Sequence, residues 1–208
     1  MSQFIESIKV EDQELFLLEF HQKRVNETFA HFGKEGSIDL EKIFKNLNHD
    51  EDGLYKLRLT YDLDKRFRTM MIPYAIPEIQ DFQLVENNIY DYSFKFEDRK
   101  ELEKMKMKSK AEEIIIVKNN HITDTSFSNL LFQKGKDWFT PSTYLLNGVQ
   151  RQYLLKKKKI KEAEITLQNI KEFSHFQLIN ALNDFDDMFI YPIHKITNLP
   201  GNDDYLDI

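Results

Sequence analysis

Cysteine is absent from this 208-residue chain. No disulfide framework, thiolate zinc site or cysteine nucleophile can therefore be built from it. Glycine and proline are scarce, at six and five residues, while phenylalanine reaches seventeen. That balance excludes a disordered or low-complexity chain, which lacks the apolar side chains to offset the entropy of ordering. No run of about 18 apolar residues occurs, so no transmembrane helix is expected. The opening segment, Met1 to Glu14, is acidic and has no apolar stretch of the kind a secretory leader needs. With the missing cysteines, this leads us to expect a cytoplasmic protein. Basic residues are also in the minority, with 29 Lys and Arg against 35 Asp and Glu, a formal net charge of −6. Nucleic-acid binding rests on clustered cations that neutralise phosphates, so no such partner is expected. The one basic run, Lys156 to Lys159, follows a helical stretch, where cations are favoured in any case. The six histidines show no paired ligand spacing. The acidic stretches Asp184-Phe185-Asp186-Asp187 and Asn202-Asp203-Asp204 lack the alternating oxygens and central glycine of a calcium loop, so no metal is expected.

What the chain does have is a mixture of strand and helix periodicities. Ser2 to Val10 reads as a strand and Glu14 to Glu19 as a second, short one. Phe20 to Phe32 reads as a helix, with Phe20, Val25, Phe29 and Phe32 spaced to share a face. Ser37 or Asp39 can cap a second helix that ends near Leu47. A turn at Asp50 to Gly53 leads to a hairpin of Tyr55 to Asp62 with Lys65 to Tyr74, then a strand at Phe82 to Glu86. Asp98 to Lys108 is helical and charged, and Glu113 to Lys118 is an apolar strand that turns at Asn119-Asn120. A second hairpin flanks Lys134-Gly135-Lys136, a helix runs from about Val149 to Lys158, and strand, short helix and strand follow between Ile160 and Leu182. This order predicts an α+β protein of two small subdomains, residues 1–90 and 91–208.

Four clusters offer chemistry. In His21-Gln22-Lys23-Arg24, the arginine could clamp a phosphate with its planar fork of donors, although surface arginines are commoner. Lys95 stands between Phe94 and Phe96; an apolar setting lowers an amine's pKa and makes it nucleophilic towards carbonyls, while an outward-reaching edge lysine is the plainer alternative. Ile122 to Leu130 reads as a polar loop between strands, in which Asp124 could keep a pyridine nitrogen protonated or could simply shape a turn. Thr140 to Arg151 places Gly148 at a helix start, where backbone N–H groups and the helix dipole attract anions. Arg58 could meet a substrate carboxylate or sit in a surface ion pair.

Taken together in this order, these clusters resemble the class IV aminotransferases, the fold type IV pyridoxal-phosphate enzymes. The resemblance runs from about Phe4 to Ile193. It is carried by Thr123-Asp124 with Asn129, by Thr140-Pro141, by Leu146-Asn147-Gly148 with Arg151, and by the spacing of Lys95 to Arg99 and of His21 to Arg24. It implies two small α/β subdomains with pyridoxal phosphate in the cleft between them, in a homodimer. It implies Lys95 as the catalytic lysine that carries the cofactor, with Arg24, Asp124, Asn129, Gly148, Val149, Gln150 and Asn180 as cofactor-binding residues. Tyr92 joins Arg58 as a substrate-side candidate. The late Asn180-Ala181-Leu182 segment is similar to that of aminodeoxychorismate lyases, which release pyruvate and leave p-aminobenzoate for folate synthesis. A branched-chain or other amino-acid aminotransferase is the alternative enzyme, and a non-catalytic cofactor- or ligand-binding homodimer the alternative of another class. Two departures stand out: Asp124 replaces the family's usual glutamate, and the region between Arg58 and Lys95 is short.

Overall fold

A computed structural model of the chain describes residues 3–47, 52–185 and 189–200. The acidic positions Asp186 and Asp187, the tail from 201 onward and the first half of the turn at Asp50 lie outside the described residues. The chain forms two compact units, Met1–Ile76 with Tyr92–Asp98, and Pro77–Asp91 with Arg99–Ile208. Where the sequence suggests one division at 90/91, the chain changes units three times. The reason lies in the short segment around Lys95. Ile5 donates its N–H to the Lys95 carbonyl at 2.9 Å and Glu97 donates to the Gln3 carbonyl at 2.8 Å, which pairs Phe96 with Phe4.

The first unit is built on a four-stranded antiparallel sheet in the order β2-β1-β3-β4, from β1 (Phe4–Glu11), β2 (Glu14–Leu15), β3 (Leu54–Tyr61) and β4 (Phe67–Pro73). In β1, alternation places Phe4, Ile8 and Val10 on one face, in line with Tyr61, Leu57 and Tyr55 of β3. Helices α1 (Leu18–His31) and α2 (Leu40–Lys45) belong to the same unit, and Val25, Phe29, Leu40 and Ile43 join those strands in one apolar cluster. The expected strand Glu14 to Glu19 stops after Leu15. Leu17 takes a left-handed φ of 55°, and Leu18 and Glu19 already belong to α1. Asp39 caps α2, accepting the Lys42 N–H at 2.9 Å.

The second unit carries an eight-stranded sheet. Its path is β10 (Lys161–Ala163), β9 (Asp137–Pro141), β8 (Asn129–Lys134), β7 (His121–Thr125), β6 (Glu113–Lys118) and β5 (Phe82–Glu86). Strand β11 (His175–Ile179) lies on β8, and β12 (Tyr191–Pro192) lies on β11. Helices α3 (Lys100–Lys108) and α4 (Val149–Lys156) complete it. Asn119 and Asn120 take φ of 49° and 69°, as a tight turn between β6 and β7 requires. The polar stretch read as a loop over Ile122 to Leu130 narrows to Ser126–Ser128, because β7 continues through Thr125 and β8 resumes at Asn129.

Among the described residues, no helix is long and apolar enough to cross a membrane, and no group of three or more potential ligands is placed to hold a metal ion. The core of the second unit is dense in aromatic rings. Phe132 is fully buried against Phe173 and Phe176, with centroids 5.6 Å and 6.0 Å away. Phe132→Ala is expected to cost about 3–5 kcal/mol through lost burial and the cavity left behind. Equilibrium urea unfolding would measure it.

Candidate active site

Each unit holds one group of candidate residues. In the first, the face of α1 that carries Val25 and Phe29 also carries His21 and Arg24, since positions 21, 24, 25 and 28 recur at helical spacing. They meet Glu6, which alternation in β1 aligns with Phe4 and Ile8. Arg24 donates to both Glu6 oxygens, from Nε at 2.8 Å and Nη2 at 2.5 Å. His21 Nδ1 lies 2.6 Å from Glu6 Oε2. Glu6 and His21 are wholly buried, and Arg24 is 9% exposed. Burial pushes the Glu6 carboxyl up, but the Arg24 charge and the bonds from His21 and Arg24 overcome it and hold the group at about 2. Burial lowers the His21 pKa, against the opposing pull of Glu6, and so favours the neutral imidazole. Arg24 makes no other side-chain hydrogen bond among the described residues, which leaves one amino group of its fork available.

Glu6 was invisible to motif reading because it sits inside a strand with no chemical signature around it. The signal was present nonetheless. A carboxylate in phase with Phe4, Ile8 and Val10 must be buried, and a buried carboxylate needs a cation from the element that covers it.

Lys95 belongs to the same unit and is half-buried. Its charge acts on His21. The flanking Phe94 packs on His31 and Phe32, and Phe96 packs on Phe4, so the two rings anchor the segment that presents the lysine. The Tyr92 hydroxyl donates to the Phe96 carbonyl at 2.7 Å and closes this segment on itself. Arg58 Nη2 donates to Glu97 Oε1 at 3.1 Å, and Thr60 Oγ1 donates to the same oxygen at 3.3 Å. Of the ten residues singled out from sequence, Arg24, Arg58, Tyr92 and Lys95 thus lie in the first unit.

The other six lie in the second. Asp124 of β7 and Asn129 of β8 face each other directly in the sheet register. Asn129 Nδ2 donates to Asp124 Oδ1 at 2.8 Å and to the Leu146 carbonyl at 2.9 Å. Asp124 Oδ2 accepts the N–H groups of Leu145 and Leu146 at 3.1 Å and 2.9 Å. Burial still raises the Asp124 carboxyl to about 6, although those donors and the Arg151 charge oppose it. Gly148 precedes α4 and supplies no side-chain cap. The first N–H groups of that helix, from Val149 on, precede any intrahelical acceptor. Val149 and Gln150 are buried, and Gln150 Oε1 has no hydrogen-bond partner among the described residues.

Asn180 Nδ2 donates to Ser128 Oγ at 2.9 Å. The same short loop is held elsewhere by Arg99, which donates to the Ser126 carbonyl at 2.6 Å, and by buried Glu113, which accepts the Ser126 N–H at 3.0 Å. Asn180 therefore supports the loop that follows Asp124, and Arg99 and Glu113 share that work. Glu113, like Glu6, lay hidden in an apolar strand run.

Residues 3–196 match the sequence pattern of the amino-transferase class IV family. The chain belongs to the class IV aminotransferase family. An uncharacterised protein of Haemophilus influenzae is 28% identical over 187 residues, which is 88% of this chain and 99% of that protein. A crystal structure from Haemophilus somnus, provisionally designated a 4-amino-4-deoxychorismate lyase, is 30% identical with a TM-score of 0.82. It is covered over 98% of its length by 89% of this chain. The branched-chain amino acid aminotransferase of Escherichia coli shares the fold at 13% identity and a TM-score of 0.72, with 95% of this chain covering 77% of it. The class IV fold thus accounts for the two-sheet α+β architecture, and its members are pyridoxal-phosphate-dependent aminotransferases and lyases.

The Glu6 pair makes a prediction that needs no ligand. Glu6→Ala leaves the Arg24 charge buried without its carboxylate, and is expected to cost about 3–5 kcal/mol. The pH dependence has a definite sign. A carboxyl lowered from 4.5 to about 2 on folding stabilises the protein above pH 4.5, and that contribution drains away as pH falls towards 2. Denaturant midpoints measured across this window should fall steeply in the native chain. In Glu6→Gln the same fall should be shallower.

Proposed function

We propose that this class IV member binds pyridoxal phosphate at Lys95 and acts on an amino-bearing carboxylic acid, as a 4-amino-4-deoxychorismate lyase does when it releases pyruvate and leaves p-aminobenzoate. The observation that carries the reading is the start of α4. Gly148 lies so close to Asn129 that an added β-carbon would stand 2.0 Å from its Oδ1, and the open N–H groups of Val149 and Gln150 follow at once. A helix start of this kind suits a phosphate. The donor set fits the rest of the cofactor: a half-buried amine at Lys95, a spare guanidinium amino group at Arg24 and a carboxylate at Asp124. The likeness at 30% identity to the Haemophilus somnus protein, over 98% of that chain, favours the lyase over an aminotransferase.

When bound, the cofactor supplies an aldehyde that condenses with amines and a pyridine ring that takes up electrons. The chain's own residues do the rest. Lys95 Nζ, in its neutral form, takes the proton from the substrate α-carbon and returns it as general acid. Arg24 contributes a charged donor that Glu6 and the helix hold rigid, so little side-chain entropy is lost when it meets an anion. Val149 and Gln150 add backbone donors. Asp124, in its ionised form, keeps a proton on the ring nitrogen. Arg58, steadied by Glu97, is assigned to a substrate carboxylate, and Tyr92 is assigned to the substrate side as well. A homodimer in the cytoplasm that serves folate synthesis is the matching biological setting.

Purified protein mixed with pyridoxal phosphate should turn yellow, and Lys95→Ala should stay colourless. Incubated with 4-amino-4-deoxychorismate, the loaded protein should release pyruvate without an added keto acid, and Lys95→Ala should lower that rate by roughly 10²–10⁴-fold. Amino transfer that depends on a keto acid would overturn the lyase reading. A protein that takes up no cofactor would overturn the enzyme reading altogether.

A further inference from the structure

Asn129 touches three parts of the second unit at once. Both hydrogens of its amide are used, one on Asp124 Oδ1 and one on the Leu146 carbonyl. Its amide oxygen is pressed against Gly148, so that a β-carbon there would fall 2.0 Å away, well inside the 3.0 Å below which such contacts essentially never occur. The Gly148 backbone itself, at φ −62° and ψ 146°, is open to any residue. Glycine is needed there for space, not for backbone freedom. The N–H groups of Leu145 and Leu146 complete the ring of donors around Asp124, so strand β7, the bend at 145–146 and the start of α4 all converge on one buried amide.

The geometry points to Asn129 as a positioning residue, a clasp that fixes the Asp124 carboxylate to the turn before α4, with Gly148 as the gap the clasp occupies. This replaces direct cofactor contact as its role, since no amide hydrogen remains to offer a ligand. Its consequence for catalysis rests on the reading of Asp124 as the partner of the ring nitrogen. The clasp itself does not, because every contact in it is made within the protein. Arg151 of α4 is the charged group that acts on Asp124. Its Nη1 donates to Asn147 Oδ1 at 3.2 Å and its Nη2 to the Pro141 carbonyl and to Glu162, while its Nε has no hydrogen-bond partner among the described residues.

The test uses the full chain without cofactor. In protein labelled with ¹³C at aspartate carboxyls, the Asp124 signal is assigned by its loss in Asp124→Asn and titrated by NMR. Removing the donor in Asn129→Ala should raise the Asp124 midpoint by about one to two pH units, the size of one hydrogen bond to a charged group. An unchanged midpoint would overturn the clasp. A double-mutant cycle gives an independent readout. Gly148→Ala in the native background should lower Tm by roughly 4–10 °C, as overpacking does. In the Asn129→Ala background it should change Tm little, because the oxygen it collides with is gone. Equal losses in both backgrounds would also overturn the assignment. If Gly148→Ala alone does not fold, a folded Asn129→Ala/Gly148→Ala double variant supports the clasp, and an unfolded one counts against it. A native protein that binds no pyridoxal phosphate would sink the proposed function and leave the titration result standing.

Discussion

A carboxylate taken out of water must find its hydrogen-bond donors inside the protein, and much of this chain's architecture answers that demand. Glu6 and Asp124 are both buried, yet they are supplied in opposite ways. Glu6 receives a full cation and a histidine ring, and its carboxyl is held at about 2. Asp124 receives an amide and two backbone N–H groups, which leaves burial the stronger influence and its carboxyl at about 6. The first arrangement fixes a charge permanently. The second holds the charged form less firmly, because the groups bonded to it are neutral. Glu113 is a third solution, with Lys106 on one oxygen and the Ser126 and Ile114 N–H groups on the other.

These arrangements explain what could be read from the sequence and what could not. The alternating apolar strands and the asparagine and glycine turns are local features, governed by periods of two and 3.6 residues and by backbone conformations that few residues tolerate. They therefore gave the α+β class and most element positions. The strand expected at Glu14 to Glu19 failed because the left-handed conformation at Leu17 reflects where α1 must lie, which no local pattern encodes. The clusters around Lys95, Asp124 and Gly148 were legible as motifs because their spacing is constrained. The roles of their supporting residues were not. Glu6, Glu113 and Arg99 act through contacts made across long stretches of sequence, and only the folded sheet brings them to their partners. Asn129 shows the difference most clearly: its place in the motif was recognisable, while the use of its amide was visible only once Gly148 and Leu146 stood beside it.

The likeness to the Haemophilus proteins extends this view. They match nearly end to end at 28–30% identity, whereas this chain spans 77% of the Escherichia coli aminotransferase.

The path of the chain carries a consequence for how such a protein can be taken apart. Tyr92–Asp98 is a seven-residue excursion: it belongs to the first unit, while the residues on either side of it belong to the second. A fragment cut at 76 would therefore lack the lysine, and a fragment starting at 77 would carry the lysine without the strand that Lys95 and Glu97 hydrogen-bond. The Lys95 segment cannot be inherited as a cassette with either half. Recombination between relatives has to exchange the β1 strand and the Lys95 segment as a matched set, although some eighty-five residues of sequence separate them.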